Sequence, residues 1–410
     1  MSLSTHKVEV VPIKLHSHPN ADSLSIVYPF GEDGYTVVVR TEDWKDKELG
    51  AYIPPDNIVP DTPEYKFLDG HRRIKVKRFR GILSQGLMVP APEGSKLGDD
   101  VAEQLGVTHY NPEEPVGSGA KAPVFKVRST KPRSIRSWIS YLIYKVRKYF
   151  GLGSNNPLSG KSIDIVTIGE YPIPKYDVDS LYRYPHTLQD GEEVIATEKI
   201  DGSNGRWVYI IDDDGQGRFY AGSHYEWKEE GSNAWWKMYS KYPDLKWFVQ
   251  NHPGFVVYGE IYGPNVQKDM TYALPNGQIN LAVFDIWYKG TYFDFNVFWE
   301  LLDGYEIPVV PIRYSGPFNA KLLVEMATGL ISWGGELASY DSKPQLAEGL
   351  VVKPIHERYE RNCGRVILKI VSSKYMSIHD GHTAGNQVKT KADRIVKKVE
   401  DAIPSSVINP

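Results

Sequence analysis

The chain has 410 residues, and 48 Lys and Arg nearly balance 51 Asp and Glu, which gives a formal net charge of −3. This balance excludes a generic polycation, and the length predicts two or three domains rather than one core. The single cysteine, Cys363, excludes an intramolecular disulfide framework and disfavours a thiolate zinc cluster. The sequence shows neither a long apolar run nor a signal-peptide pattern, so we expect a cytoplasmic protein without a membrane segment.

Residues 1–106 alternate short β-branched runs with Gly, Pro and Asp turns, a spacing that predicts a small OB-like β-barrel. The string from His18 to Leu24 resembles the opening of tRNA-binding OB modules, and the string from Arg80 to Leu87 has the pattern of a second barrel turn. The alternative is that both strings only fix turns. The strands are expected at 8–13, 24–28, 35–40, 51–53, 74–79 and 86–89.

Residues 107–161 are expected to form a basic linker or insert. Nine Lys or Arg and no acidic residue lie between Lys121 and Phe150, and residues 138–149 have the pattern of an amphipathic helix. Clustered cations attract nucleic-acid phosphates and anionic membranes alike. A solvated connection between two domains accounts for the same composition, so we assign this segment no chemistry.

A second region, 162–385, mixes strand and helix patterns and predicts an α+β domain. Its strands are expected at 192–197, 206–211, 255–262, 279–287, 349–352 and 366–371. Its helices are expected at 234–251, 296–302 and 319–331. Residues 386–410 are expected to form a charged C-terminal helix and tail.

The segment from Glu198 to Asn204 lies between two of these predicted strands and reads Glu-Lys-Ile-Asp-Gly-Ser-Asn. This pattern places Lys199 at the mouth of a strand-turn-strand, where its amine is accessible to a substrate. Lys-x-Asp-Gly also occurs by chance in surface hairpins, so the motif alone is a weak signal of function.

Later predicted strands carry charged residues inside apolar sequence, namely Glu260, Glu348, Lys353 and Lys369. A charge in an apolar strand is costly to bury unless it is paired or functional. These four residues are therefore candidates for one site shared with Lys199.

Taken in order, five short motifs resemble those of the covalent nucleotidyltransferases, the superfamily of ATP-dependent ligases and mRNA capping enzymes. The order and spacing of the set are more specific than any single motif. Because a barrel precedes them, the whole chain resembles the branch of ATP-dependent RNA ligases with an N-terminal OB-fold domain. The motifs are Lys199-Ile200-Asp201-Gly202, Gly259-Glu260, Phe284-Asp285, Glu348-Gly349-Leu350-Val351 and Leu368-Lys369.

The resemblance implies an ATP-grasp-like adenylyltransferase domain of antiparallel sheets with flanking helices, acting with ATP and Mg²⁺ or Mn²⁺. It implies that Lys199 attacks the α-phosphorus of ATP, that AMP passes to an RNA 5′-phosphate, and that a 3′-OH displaces AMP. The expected substrates are RNA ends in a nicked duplex or an RNA/DNA hybrid, with RNA on the 3′-OH side held partly by the barrel. A monomer is expected.

The resemblance also implies individual roles. Lys353 and Lys369 are expected to contact phosphates beside the catalytic Lys199, and Phe284 is either a stacking surface for adenine or an ordinary core residue. The expected holders of the metal or its waters are Asp201, Glu260 and Glu348. The expected nucleotide-binding residues are Glu198, Lys199, Ile200, Asn204, Glu260, Phe284, Lys353 and Lys369.

The charges expected around Lys199 make a cation necessary. The attacking amine must be neutral, and lowering a lysine pKa from about 10.4 to about 7–8 takes roughly 3–5 kcal/mol. Carboxylates oppose that shift, whereas a divalent ion favours it. Acidic neighbours without a metal would keep Lys199 protonated.

Two positions depart from the family pattern. Val371 stands where many ligases have the second lysine of the last motif, and His224 stands where related enzymes often have arginine. DNA ligation and GTP-dependent capping are the alternative enzymatic functions, although those enzymes carry the OB module after the core. A non-catalytic OB-fold RNA-binding protein is the alternative of another class, which the intact Lys199, Glu260 and Glu348 disfavour.

Overall fold

A computed structural model describes two β-rich units with few helices, which confirms the predicted α+β class. Within the described part of the chain, no helix is long and apolar enough to cross a membrane. The basic stretch, its predicted helix and the predicted C-terminal helix lie outside the described residues. The described residues are 7–110, 158, 162–163, 166–212, 214–264, 266–267, 270–330, 332, 345–361 and 363–379.

The first unit is the barrel that the short β-branched runs predict. Strands β1, β5 and β9 form one antiparallel sheet, β2, β3 and β4 form a second, and β6–β10 and β7–β8 are two-stranded ribbons. A short helix, α1 (Thr41–Trp44), and a 3₁₀ helix (Pro63–Leu68) complete the unit. The strands are β1 (Glu9–Pro12), β2 (His16–Ser17), β3 (Leu24–Val27), β4 (Val37–Arg40), β5 (Leu49–Ile53), β6 (Asn57–Ile58), β7 (Lys77–Phe79), β8 (Ile82–Ser84), β9 (Leu87–Pro90) and β10 (Thr108–His109).

Successive side chains of β1 enter different apolar clusters of the barrel. Val10 packs in one cluster and Val11 in the other, because neighbouring side chains of a strand point to opposite faces. The strand predicted at 74–79 begins only at Lys77. Ile74 is instead buried, and its backbone N–H and C=O bond to the segment at Asp56 and Asn57.

The second unit contains two larger sheets. The seven-stranded sheet has the order β11 (Ser162–Ile163), β18 (Trp227–Lys228), β17 (Gly217–Ser223), β16 (Ser203–Ile211), β19 (Val256–Tyr262), β20 (Asn280–Tyr288), β21 (Thr291–Tyr292). The five-stranded sheet has the order β14 (Asp179–Ser180), β26 (Leu368–Val371), β23 (Gly349–Pro354), β15 (Glu193–Lys199), β22 (Ile312–Pro317). Their pairs are antiparallel except β14–β26, which is parallel. Two further ribbons pair β12 (Thr167–Ile168) with β13 (Tyr171–Pro172) and β24 (Tyr359–Glu360) with β25 (Gly364–Arg365).

The chain passes from one large sheet to the other directly after Lys199. The strand-turn-strand pattern predicts two strands around the motif, and both exist, but β15 and β16 belong to different sheets and do not pair. Gly202 lies at the crossing, where a Cβ atom would come within 2.3 Å of the Ile261 carbonyl oxygen. Glycine is therefore required there by the close approach of the two backbones.

The helices cover the sheets. The single helix predicted at 234–251 is wrong at its centre, because Pro243 lacks an N–H and starts a new helix as its first residue. The helices are α2 (Ala234–Lys241), α3 (Pro243–Asn251), α4 (Phe295–Leu302), α5 (Ala320–Gly329) and α6 (Ser373–His379). Apolar side chains from α2, α3 and α4 pack with the seven-stranded sheet in the largest core cluster.

The barrel docks on the second unit through Arg183. The Arg183 guanidinium is buried and donates to the Lys7 carbonyl oxygen at 3.1 Å, and one nitrogen lies 3.4 Å from Glu9 Oε2. It also lies over the Phe30 ring, 5.7 Å from the centroid. A buried arginine with these partners fixes the position of the barrel relative to the sheets.

Candidate active site

A cavity of about 620 Å³ is lined by both large sheets and by the barrel. All eight residues predicted to bind the nucleotide line it, although they are spread over 172 positions of sequence, from 198 to 369. Their binding roles stay predictions, whereas their common location is a property of the fold. The barrel contributes Asp56, Arg73, His109 and Tyr110 to the same wall.

The proposed nucleophile forms an ion pair. Lys199 Nζ lies 2.6 Å from Glu348 Oε2, and both side chains are mostly buried. Burial lowers the pKa of Lys199, but Glu348, followed by Glu260 and Asp201, raises it by more, so the net pKa is above its ordinary value. The amine is therefore protonated when only these carboxylates surround it.

Glu260 is the most perturbed carboxyl group of the site. It faces Asn204 across the β16–β19 pair, so the seven-stranded sheet presents both side chains to the cavity. Burial raises the pKa of Glu260 to about 8, with Glu348 and Asp201 adding to the shift and Lys199 opposing it. Carboxylates here outnumber the cations that balance them, which is an environment that favours a bound cation.

Asp201 is held in place by two tyrosines. The Tyr375 hydroxyl of α6 donates to its carboxylate, and the Tyr272 hydroxyl accepts from its backbone N–H at 2.7 Å. In the described part of the chain, no three His, Cys, Asp or Glu side chains converge closely enough to ligate one metal ion directly. The predicted holders Asp201, Glu260 and Glu348 therefore fit a hydrated ion held through water and substrate phosphate.

Glu198 uses its carboxylate for structure. The Arg313 Nε donates to Glu198 Oε2 at 3.0 Å, and the Ser332 hydroxyl donates to Oε1 at 2.9 Å. The Glu198 side chain is fully buried in this arrangement. Glu198 lines the cavity, but its carboxylate is already bonded to Arg313 and Ser332.

The two predicted phosphate-binding lysines have different surroundings. Lys369 forms no ion pair with any described residue, and burial, followed by the nearby Lys199, lowers its pKa. Lys353 is buried, and its Nζ lies 3.2 Å from carboxylate oxygens of both Asp285 and Glu357. The Lys369 amine is thus available to bind an anion such as a phosphate. The Lys353 amine is already paired with two carboxylates.

Asp285 is the centre of a larger buried network. It accepts from the Tyr176 hydroxyl at 2.7 Å and lies 2.5 Å from an Arg365 nitrogen. Burial raises the pKa of Asp285, but Arg365 and Lys353 lower it by more, so its pKa lies below the ordinary value. The network fixes Tyr176, and the centroid of its ring lies 4.6 Å from the centroid of the Phe284 ring.

Phe284 and Asn204 keep features that suit a nucleotide. Phe284 lines the cavity and also packs against two buried apolar clusters, so the stacking and core roles are compatible. Asn204 Oδ1 is buried without a hydrogen-bond partner among the described residues. A buried acceptor of this kind at a cavity wall favours a ligand that donates a hydrogen bond. Ile200 is buried beside them.

Sequence reasoning missed the groups that support the site. Arg313, Tyr272 and Tyr375 lie outside the five motifs, and no local pattern marks them. Arg73 lies directly before the barrel strand predicted at 74–79. His224, noted above as a departure from the family pattern, has its Nε2 3.2 Å from Asp177 Oδ1 at the cavity wall. Only long-range packing brings these residues to Lys199.

The RNA ligase family model matches residues 192–371, and an OB-fold domain model matches residues 7–91. The chain carries an RNA ligase domain behind an OB-fold domain. This match confirms the predicted family and domain order. The RNA ligase domain contains β15 through β26, and therefore every predicted site residue.

Solved structures of an RNA ligase from Naegleria gruberi are similar to this chain at 21% identity. A variant with ATP and Mn has a TM-score of 0.64 and covers 91% of this chain and 98% of that chain. A variant with AMP and Mn has a TM-score of 0.66, with coverages of 92% and 99%. An apo variant also has a TM-score of 0.66, with coverages of 92% and 100%. No curated protein sequence matches the chain significantly.

Proposed function

We propose that the protein is an ATP-dependent RNA ligase that joins 3′-OH and 5′-phosphate ends through lysyl-AMP and adenylylated RNA. The observation that carries the proposal is the placement of the Lys199 amine in a cavity that also holds Lys369, Glu260 and Asn204. The RNA ligase family match and the relatives solved with ATP or AMP and Mn support the choice of substrates.

The chemistry is three phosphoryl transfers. The neutral Lys199 amine attacks the α-phosphorus of ATP, so an N–P bond forms, pyrophosphate leaves and the amine loses a proton. An RNA 5′-phosphate oxygen then displaces Lys199 from AMP, and the 3′-OH of the other end displaces AMP to form the phosphodiester. Positioning and charge stabilisation carry such reactions, and in this proposal Lys369, which lines the cavity, stabilises phosphate charge.

Glu260 lines the cavity, whereas Glu348 and Asp201 do not line it but lie close enough to Lys199 to raise its pKa, and such a group of carboxylates suits a divalent ion. Asp201, Glu260 and Glu348 would hold Mg²⁺ or Mn²⁺ through its waters, since they do not converge on one point. When bound, the ion supplies positive charge that favours the neutral form of Lys199 and offsets the charge of the triphosphate. The raised pKa of Lys199 in the metal-free site is the reason that this charge is needed.

The proposed substrate is a nick with RNA on the 3′-OH side, and the barrel helps to hold that strand. The barrel wall of the cavity includes one arginine, Arg73. Its guanidinium lies 2.6 Å from Asp56 Oδ1, and both side chains are partly exposed to solvent. DNA ligation and GTP-dependent capping remain the competing activities, and nucleotide and strand preference separate them.

Labelling with α-³²P ATP tests the proposal. Unmodified protein and the Lys237→Ala control, which removes an exposed lysine from α2, are expected to retain label through denaturing electrophoresis, whereas Lys199→Ala is not. Label on Lys199→Ala would overturn the nucleophile. A failure of unmodified protein to form any adduct while it still binds RNA would favour the non-catalytic alternative. Competition by GTP, and nicks with RNA or DNA on each side, decide between the ligase activities.

A further inference from the structure

The barrel carries a concentration of positive charge that adenylyl transfer does not explain. Six of the nine residues from 72 to 80 are Lys or Arg and none is acidic, although the whole chain has a net charge of −3. We call residues 72–80 the basic strip. Its cations are Arg72, Arg73, Lys75, Lys77, Arg78 and Arg80.

The far end of the basic strip is a projecting hairpin formed by β7 and β8. Lys77, Arg78 and Arg80 are exposed, and the Phe79 ring between them is 41% exposed. Within the described part of the chain, Lys75, Lys77 and Arg80 form no ion pair. Exposed cations such as Lys77 and Arg80, without acidic partners among the described residues and beside an exposed aromatic ring, are the elements of a single-strand nucleic-acid platform.

The turn of the hairpin presents an arginine at some backbone cost. Phe79 pairs with Ile82, so the loop is only Arg80 and Gly81, with φ of 47° and 92°. A two-residue turn with two positive φ angles favours Asn-Gly. Arginine in the first position costs roughly 1 kcal/mol relative to a better-suited residue, which indicates that its side chain is useful there.

Two side chains anchor this turn to the rest of the barrel. His18 Nε2 lies 3.2 Å from the Phe79 carbonyl oxygen, and Asn20 Nδ2 donates to the Arg80 carbonyl oxygen at 2.9 Å. His18 Nδ1 accepts the Asn20 backbone N–H at 3.1 Å, so Nε2 carries the proton that the Phe79 carbonyl accepts. The string that begins at His18 therefore holds the hairpin in its projecting position.

The basic strip begins at the active-site cavity. Arg73 lines the cavity, and Arg80 follows it by seven positions, so the hairpin tip lies within about 25 Å of Arg73 even for a fully extended chain. An RNA strand that leaves the cavity can therefore reach the hairpin within a few nucleotides.

We propose that the β7–β8 hairpin binds the sugar-phosphate backbone of the RNA strand whose end occupies the cavity, with Phe79 stacking on one of its bases. This inference rests on the proposed ligase function for the identity of the strand, but the binding itself is measured separately. Lys77 and Arg80 provide phosphate contacts, and His18 and Asn20 fix the hairpin so that these contacts form without ordering a loop.

The test uses the full chain with Lys77→Ala/Arg80→Asn, which removes two cations while asparagine still suits the turn. The matched control is Lys14→Ala/Lys96→Ala, which removes two exposed lysines elsewhere on the barrel. Fluorescence anisotropy with a labelled nicked RNA duplex is expected to show about tenfold weaker binding for the hairpin variant and a salt slope smaller by about 2. Phe79→Ala is expected to weaken binding fivefold or more with an unchanged salt slope.

Lysyl-AMP formation from ATP without RNA serves as the second readout. We expect all three variants to form the adduct at the unmodified rate, and the hairpin variants to seal nicks with a raised KM for RNA. Equal RNA affinity for the hairpin double variant and the unmodified protein, or equal weakening in the control, would overturn the proposal. Absence of adduct in unmodified protein would instead refute the ligase function and leave the binding result intact.

Discussion

Lys199 Nζ lies 2.6 Å from Glu348 Oε2, so the proposed nucleophile is ion-paired. The pair joins the last residue of β15 to the residue just before β23, across strands that are hydrogen-bonded neighbours. Because the pKa of Lys199 is raised, its amine is an ammonium in this pair, without the free lone pair that an attack on phosphorus needs. Substrate and metal must therefore compete with Lys199 for Glu348 before the first step.

Glu348→Gln is expected to lower the pKa of Lys199, because Glu348 is the strongest of the charges that raise it. Only the neutral amine reacts with an acylating reagent, so the modification rate at Lys199 rises as the pH passes its pKa. Mass spectrometry of the nucleotide-free protein should place the midpoint at lower pH in the variant. Lys237, exposed on α2, is the internal control. An unshifted midpoint would contradict the electrostatic role of Glu348.

Glu260→Gln is expected to stabilise the metal-free fold at alkaline pH. The folded-state pKa of Glu260 is raised from 4.5 to about 8, so its favourable contribution is fully present below pH 4.5 and is lost progressively as the pH rises to about 8. The advantage of the variant should be small at pH 5 and reach on the order of 5 kcal/mol at pH 9. Urea unfolding at both values measures this difference.

The same Glu260→Gln substitution is expected to reduce lysyl-AMP formation at least tenfold, because it removes a charge that would hold the metal waters. Saturating Mn²⁺ should shift the unmodified protein to higher stability and the variant less. In the urea unfolding experiment, a Glu260→Gln variant that exceeds the stability of the unmodified protein by the same amount at pH 5 and pH 9 would show that packing, not titration of Glu260, is responsible.

Arg313→Met is expected to destabilise the protein by about 3 kcal/mol, because it leaves the buried Glu198 carboxylate without its cation. The double variant Glu198→Gln/Arg313→Met should recover part of that loss, since no uncompensated charge remains. Chemical unfolding of the two single variants and the double variant measures the coupling. If the loss of stability in the double variant equals the sum of the losses in the two single variants, the pair does not stabilise the end of β15 that carries Lys199.

Lys353 and Lys369 are expected to differ when each is changed to alanine. Lys353→Ala should lower stability by on the order of 3 kcal/mol, because Asp285 and Glu357 lose a shared cation. Lys369→Ala should leave stability nearly unchanged and reduce adenylylation at least tenfold, because its amine forms no ion pair with the residues that the structure describes. Thermal unfolding with ATP-labelling kinetics separates the two effects. A fully stable Lys353→Ala protein that binds ATP poorly would assign Lys353 to phosphate instead.

The strands β19, β20, β23 and β26 were predictable because each is a short, mostly apolar run with one charged residue in it. Glu260 and Lys369 stand out against apolar neighbours, so their positions within β19 and β26 follow from the sequence. The break at Pro243 was also visible as a missing N–H, yet the apolar periodicity on both sides favoured one helix. Local patterns identified which residues are exceptional.

Relationships between distant strands were not predictable in the same way. Nothing around Lys199 indicates that β15 and β16 enter different sheets, because hydrogen-bond partners of a strand depend on tertiary packing. The partner of Glu198 is 115 positions away at Arg313, and the hydroxyl that bonds Asp201 comes from Tyr375. These contacts decide protonation and side-chain orientation, which the motif order does not specify.

The crossing of the backbone between sheets at Gly202 divides the proposed catalytic and nucleotide-binding groups between the two sheets. Lys199, Glu348 and Lys369 are carried by the five-stranded sheet, whereas Asn204, Glu260 and Phe284 are carried by the seven-stranded one. A small rotation of one sheet relative to the other would move the proposed nucleophile away from the residues proposed to bind the adenine base. No hydrogen bond between paired strands would need to break. A contact that changes the angle between the two sheets can therefore change the rate of the reaction, even when it lies far from the nucleotide.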